Sequence, residues 1–140
     1  MIEGQRVVSY VFNALKNDAA FSTAVGGRVY RDQVPQSAPL PSAIVSLVSD
    51  VDVVTLGGRR VHGTVLVDVH LIASGASYGP INAAADRADV VLDQAAGTTG
   101  GAVVVKLRRD AAQAFLENEA GVVYAHVIQT YRTEAYAVTA

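Results

Sequence analysis

Apolar residues recur at helical spacing near the start of the chain, at every second position through its middle, and at helical spacing again after Pro80. From about Glu3 to Asn17, Val8, Val11, Phe12, Leu15 and then Ala19 form one stripe, with Gln5, Arg6, Ser9, Asn13 and Lys16 opposite, which predicts an amphipathic helix. Asp18 is suited to cap a second, shorter helix over 19–25, and Gly26-Gly27 supply the left-handed stop. A short strand over about 28–31 comes next. Pro35, Pro39 and Pro41 then hold the chain extended before strands at about 43–49 and 51–56, which turn through Gly57-Gly58 into a long strand over 59–72. Along that strand Val61, Gly63, Val65, Val67, Val69 and Leu71 share one face, and His62, Thr64, Leu66, Asp68, His70 and Ile72 the other. The first face is expected to lie against the helices.

Pro80 suits the first turn of a third helix whose core stripe is Ile81, Ala84, Ala85, Ala88, Val91, Leu92 and Ala95. Asn82, Asp86, Asp89 and Asp93 make a second, acidic stripe on another face of it. The glycines between 97 and 101 end the helix, a strand alternates over 103–108, and a last strand runs from Val122 to about Thr133. Residues 112–119 fit either a helical turn or a hairpin arm, and 135–140 read as a frayed tail anchored by Tyr136. The expected fold is α+β, a mainly antiparallel sheet of about four or five strands with helices packed on one face and a long flexible hairpin at Gly57-Gly58.

Composition narrows the function classes. A chain of 140 residues fits one domain, 1–140, able to bury roughly two-thirds of its unfolded surface. It is 51% hydrophobic and only 17% charged, which excludes bulk disorder and points to surface covered by other subunits. The longest apolar run is four residues, against the ~20 of a membrane-spanning helix, and no secretory signal pattern opens the chain. A soluble protein of the producing cell's cytoplasm is therefore expected. With no cysteine, disulfides, thiolate metal sites and cysteine nucleophiles are excluded, and a net charge of -2 does not favour non-specific nucleic-acid binding.

The one constellation with chemical potential is Asp68 and His70 on one strand face, with His62 further along it and His126 on the final strand. His62 and His70 stand about 26 Å apart along an extended strand, too far to share a metal, so a plain polar face is the expected reading. The Gly-Gly pairs at 26, 57 and 100 lack the residues of a phosphate-binding loop. No catalytic, cofactor-binding or metal-binding residue is expected. Arg59-Arg60 and Arg108-Arg109 read as surface or interface ion pairs.

One ordered set of features goes further. Gly27-Arg28-Val29-Tyr30, then a Pro-rich turn ending in Leu40-Pro41, then a strand, then the hairpin tip Gly57-Gly58-Arg59, then a long strand bearing Asp68, resembles the tail-completion, or tail-terminator, proteins of long-tailed bacteriophages. The likeness runs from about Arg6 to Tyr131. It differs in having Ser42-Ala43 where members often carry an aromatic, and no tryptophan near the end of the long strand. The resemblance implies a structural virion protein without enzymatic activity or cofactor. Such a protein forms a ring, usually of six subunits, that ends tail-tube polymerisation and joins the tail to the head connector, with DNA passing through its channel. Its partners would be further copies of itself, the tail-tube protein and the head-tail connector, in the tail or neck of the virion. A neck or head-completion connector is the alternative in the same structural class, and a small ligand-binding or hydrolytic domain the alternative outside it. On the ring reading, Val53, Leu56, Gly57, Gly58, Arg59, Arg60 and His62 are expected at the assembly interface, and Asp86, Asp89 and Asp93 facing the channel.

Overall fold

The computed structural model describes residues 3–35, 37–58, 60–99 and 102–137. Helix α1 spans Glu3–Lys16 and α2 spans Ala19–Ala24, followed by strands β1 (Val29–Arg31), β2 (Ser42–Val54) and β3 (Arg60–Ser74). Helix α3 (Gly79–Leu92) then leads to β4 (Gly97–Thr99), β5 (Ala102–Glu119) and β6 (Val122–Ala137). The strands form one sheet in the order β1-β2-β3-β6-β5-β4. All neighbours are antiparallel except β1 and β2, so the sheet is mixed at one edge.

The strand alternation resolves as expected. Val65, Val67, Val69 and Leu71 of β3 are fully buried beneath Val7, Val8, Val11 and Leu15 of α1 and Ile81, Ala84, Ala88 and Leu92 of α3, in one continuous core. The alternate residues Leu66, Asp68, His70 and Ile72 lie on the other face, which no helix covers among the described residues. Asp18 caps α2 by accepting from the Phe21 N–H at 2.9 Å, and Gly26 and Gly27 follow at φ +63° and +74°. Arg87 of α3 reaches the same carboxylate with both arms of its fork, at 2.8 Å each. That fork and the Phe21 N–H hold the Asp18 carboxyl down to about 2, so one side chain starts α2 and ties down α3.

Two expectations are corrected. The sheet has six strands where four or five were expected, because 97–99 add an edge strand beside 102–104. Gly97 allows that strand close to α1: a Cβ there would stand 3.0 Å from the Tyr10 ring, whose hydroxyl donates to the Ala96 carbonyl. The C-terminal stretch does not fray at 135, since Ala135 pairs with Gly63 and with Val104, and strand structure continues to Ala137. Of the choices open for 112–119, the hairpin arm is the one formed. The link between the two halves of the resemblance motif is physical, because the Arg28 Nε donates to the Pro41 carbonyl at 2.8 Å.

Candidate functional site: two arms at opposite ends of the sheet

Both long hairpins outrun the helical layer, and they do so in opposite directions. The β2–β3 turn lies past the Arg60 end of β3, whereas Tyr124 of β6 pairs with Ser74 at the other end, so the β5–β6 turn at Ala120-Gly121 lies beyond the far end of β3, at least 14 residues, or roughly 46 Å, away. The β2–β3 arm is aliphatic and wet: Val51 is 60% exposed, Val54 55%, Val53 is also exposed, and Leu56 projects entirely into solvent. Its turn closes with the Gly58 N–H donating to the Thr55 carbonyl at 2.9 Å, Gly58 standing at φ +79° where only glycine is unstrained. Val53, Leu56, Gly57 and Gly58 thus lie together on this arm, and His62 pairs with Val53 across it. Arg60 opens β3 opposite Val54, while Arg59 lies outside the described residues.

The β5–β6 arm was not anticipated as a surface of interest. Phe115, Leu116 and Val122 are exposed on it, beside Glu117 and Glu119. Between this arm and the loop preceding β2 lies a groove of about 220 Å³ whose apolar lining is Val34, Leu40, Ile72 and Tyr124, with Glu117, Glu119 and His126 at its polar side. The available signal in the sequence was composition: Phe115-Leu116 directly before Glu117 and Glu119 is apolar surface next to charge, with no partner within helical reach.

The acidic stripe of α3 divides. Asp86 and Asp93 are exposed. Asp89 is engaged on both oxygens: Oδ1 accepts from the Tyr131 hydroxyl at 2.6 Å and Oδ2 from Arg109 Nη1 at 2.5 Å. Burial, and then the Asp89 carboxylate, push the Tyr131 hydroxyl well above the ordinary tyrosine range, so it remains a donor. Asp93 also accepts from the Arg109 backbone N–H at 3.3 Å. Asp89 is therefore a structural link between α3 and the sheet.

On the open face, His70 Nε2 and His126 Nδ1 stand 2.8 Å apart, Phe115 stacks on the His126 ring, and the His126 Nε2 is 3.4 Å from Glu117 Oε1. Asp68 instead accepts from Thr130 at 2.6 Å, and His62 lies on the arm beyond. The structure brings together two of the three histidines, and the described residues hold no group of three or more potential metal ligands. Burial, and secondarily His126, depress the His70 pKa below 6.5 despite Asp68 and Glu117, which act the other way. A depressed imidazole favours the fold while neutral, so its contribution is present above 6.5 and is lost as the pH falls towards the folded-state value. Urea midpoints should fall on acidification below about pH 6.5, and His70→Asn should flatten that slope; an unchanged slope in the variant would remove His70 from the account.

No described helix is long and apolar enough to cross a membrane. A family model described as "Tail completion protein gp17" matches residues 9–134. Among solved structures, a chain of the "Virion of native gene transfer agent (GTA) particle" superposes with a TM-score of 0.71 at 24% identity, covering 94% of this chain and 97% of that one. The likeness shows a shared fold. No curated protein sequence matches significantly.

Proposed function

We propose a role that follows from one fact: the chain belongs to the tail completion protein gp17 family. The role is that of a non-enzymatic virion subunit that forms a closed ring, six copies in all, at the head-proximal end of a tail tube. The ring stops tube growth, offers a docking surface to the head connector, and leaves a channel through which DNA passes. The observation that carries this reading is the family match over 9–134 on a fold with unlike apolar arms at its two ends. A surface of that kind suits head-to-tail contact, in which each subunit presents two different patches. The solved chain that shares the fold comes from a virion particle, which is consistent with a place in a particle of this kind.

Loss of the protein separates this role from that of a neck connector. Particles made without it should show tubes of irregular, excessive length by electron microscopy, beside filled heads. Tubes of normal length that merely fail to attach would favour the connector. Asp86 and Asp93 are proposed to face the channel and repel DNA phosphates. Reversing only these two, and sparing the structural Asp89, should slow DNA delivery while tails remain intact. Normal infectivity from the reversed pair would mark them as an ordinary solvated face.

A further inference from the structure

The β2–β3 arm carries Val51, Val53, Val54 and Leu56 in solvent, and none of the described residues buries them. Exposed aliphatic residues in such a run mark a surface that is covered in assembly. At the other end of the sheet, the groove between the β5–β6 arm and the loop before β2 offers an apolar floor of Leu40, Ile72 and Tyr124. Its rim carries the exposed carboxylates Glu117 and Glu119. The arm sequence places Arg59 and Arg60 immediately after its Gly-Gly turn, so the two surfaces match in both apolar character and sign of charge. The roughly 40 Å along β3 from Arg60 at the arm to Ile72 in the groove prevents an arm from filling its own groove.

Resting on the ring reading above, we propose that the occupant of this groove is the β2–β3 arm of a second copy of the chain. Leu56 seats over Leu40, Ile72 and Tyr124, and the arginine-bearing end of the arm meets Glu117 and Glu119. Only a second copy brings these two patches of one sequence together, and because they differ, each subunit keeps a free arm and a free groove after the first contact. Such a heterologous contact continues until the ring closes. The surrounding Phe115, Leu116 and Val122 extend the apolar area beyond the groove, where Val51, Val53 and Val54 of the incoming arm follow Leu56.

The absence of native cysteine makes the test direct. Leu56→Cys and Glu119→Cys are combined in one chain, particles are assembled, and mild oxidation is followed by non-reducing electrophoresis. The double variant should give a ladder of multimers ending at the ring number, and neither single variant should give a dimer. A dimer from Leu56→Cys alone, or cross-linking of the arm to the tube protein, would overturn the proposal. A closed ring by native mass without any ladder would also overturn it while leaving the ring reading standing. If particles contain no closed oligomer of this chain, both fall. Leu56→Asp supplies an independent measure: a monomer that melts like the parent but yields about tenfold fewer complete particles is expected, and an undiminished yield refutes the docking site.

Discussion

Tyr131→Ala should be the most damaging single truncation in the sheet, costing about 3–5 kcal/mol of unfolding free energy. The side chain is fully buried, the largest of the core residues that are, and its hydroxyl is the donor that holds Asp89 of α3 against the sheet. Truncation opens a cavity under α3 and removes that donor together. Tyr131→Phe separates the two effects, because it keeps the ring and leaves Asp89 Oδ1 without its tyrosine; about 1–3 kcal/mol is expected for that loss alone. The Arg109–Asp89 ion pair is no substitute, since Arg109 is nearly half exposed and such pairs contribute at most about 1 kcal/mol. Urea denaturation with constant m-values would measure both changes, and a Tyr131→Phe variant as stable as the parent would show that Asp89 is held by arginine instead.

The same residues show what the sequence made legible. Asp86, Asp89 and Asp93 are alike in helical phase, so periodicity put them on one face and could do no more. Asp89 differs from the others through the Arg109 guanidinium and the Tyr131 hydroxyl, which lie 20 and 42 positions away, and such partners leave no local trace. Where one face of a strand was buried along its length, as in β3, alternation identified the face directly. It failed on residues 112–119, because that arm extends beyond the helices and neither of its faces is selected for burial. β2 was divided into two strands at Asp50 for a related reason. A carboxylate at a helix-facing position interrupts the apolar pattern, yet the strand runs on from Ser42 to Val54 with a bulge at Val48, as Asp50 accepts from the Gly4 N–H at the start of α1. The long β2–β3 hairpin was visible from its Gly-Gly turn, whereas the acceptor groove was not, since it joins residues from the proline-rich loop, β3, β5 and β6.

Asp50 also sets the second large effect. Its carboxylate lies across Gly63, so a Cβ added there would collide with Asp50 Oδ1, while the Oδ2 is the atom holding the Gly4 N–H at 2.9 Å. Gly63→Ala must therefore expel a carboxylate from its place against the first turn of α1. Crowding at a packed site costs about 1–3 kcal/mol, and loss of the hydrogen bond adds about 1 kcal/mol or more because the acceptor is charged. The collision has one identified partner, so the cost should shrink when that partner is gone. In an Asp50→Ala background, Gly63→Ala should be nearly neutral, giving a coupling of about 1–3 kcal/mol in a double-mutant cycle. Additive losses would mean that the glycine is needed for something other than Asp50. The consequence for assembly follows from position: Gly63 and Asp50 stand at the root of the β2–β3 arm, where it leaves the helical layer. Loosening that root frees the arm from α1, so Gly63→Ala should lower particle yield by more than its loss of monomer stability predicts, and Asp50→Ala should do the same with no change in the arm's own sequence.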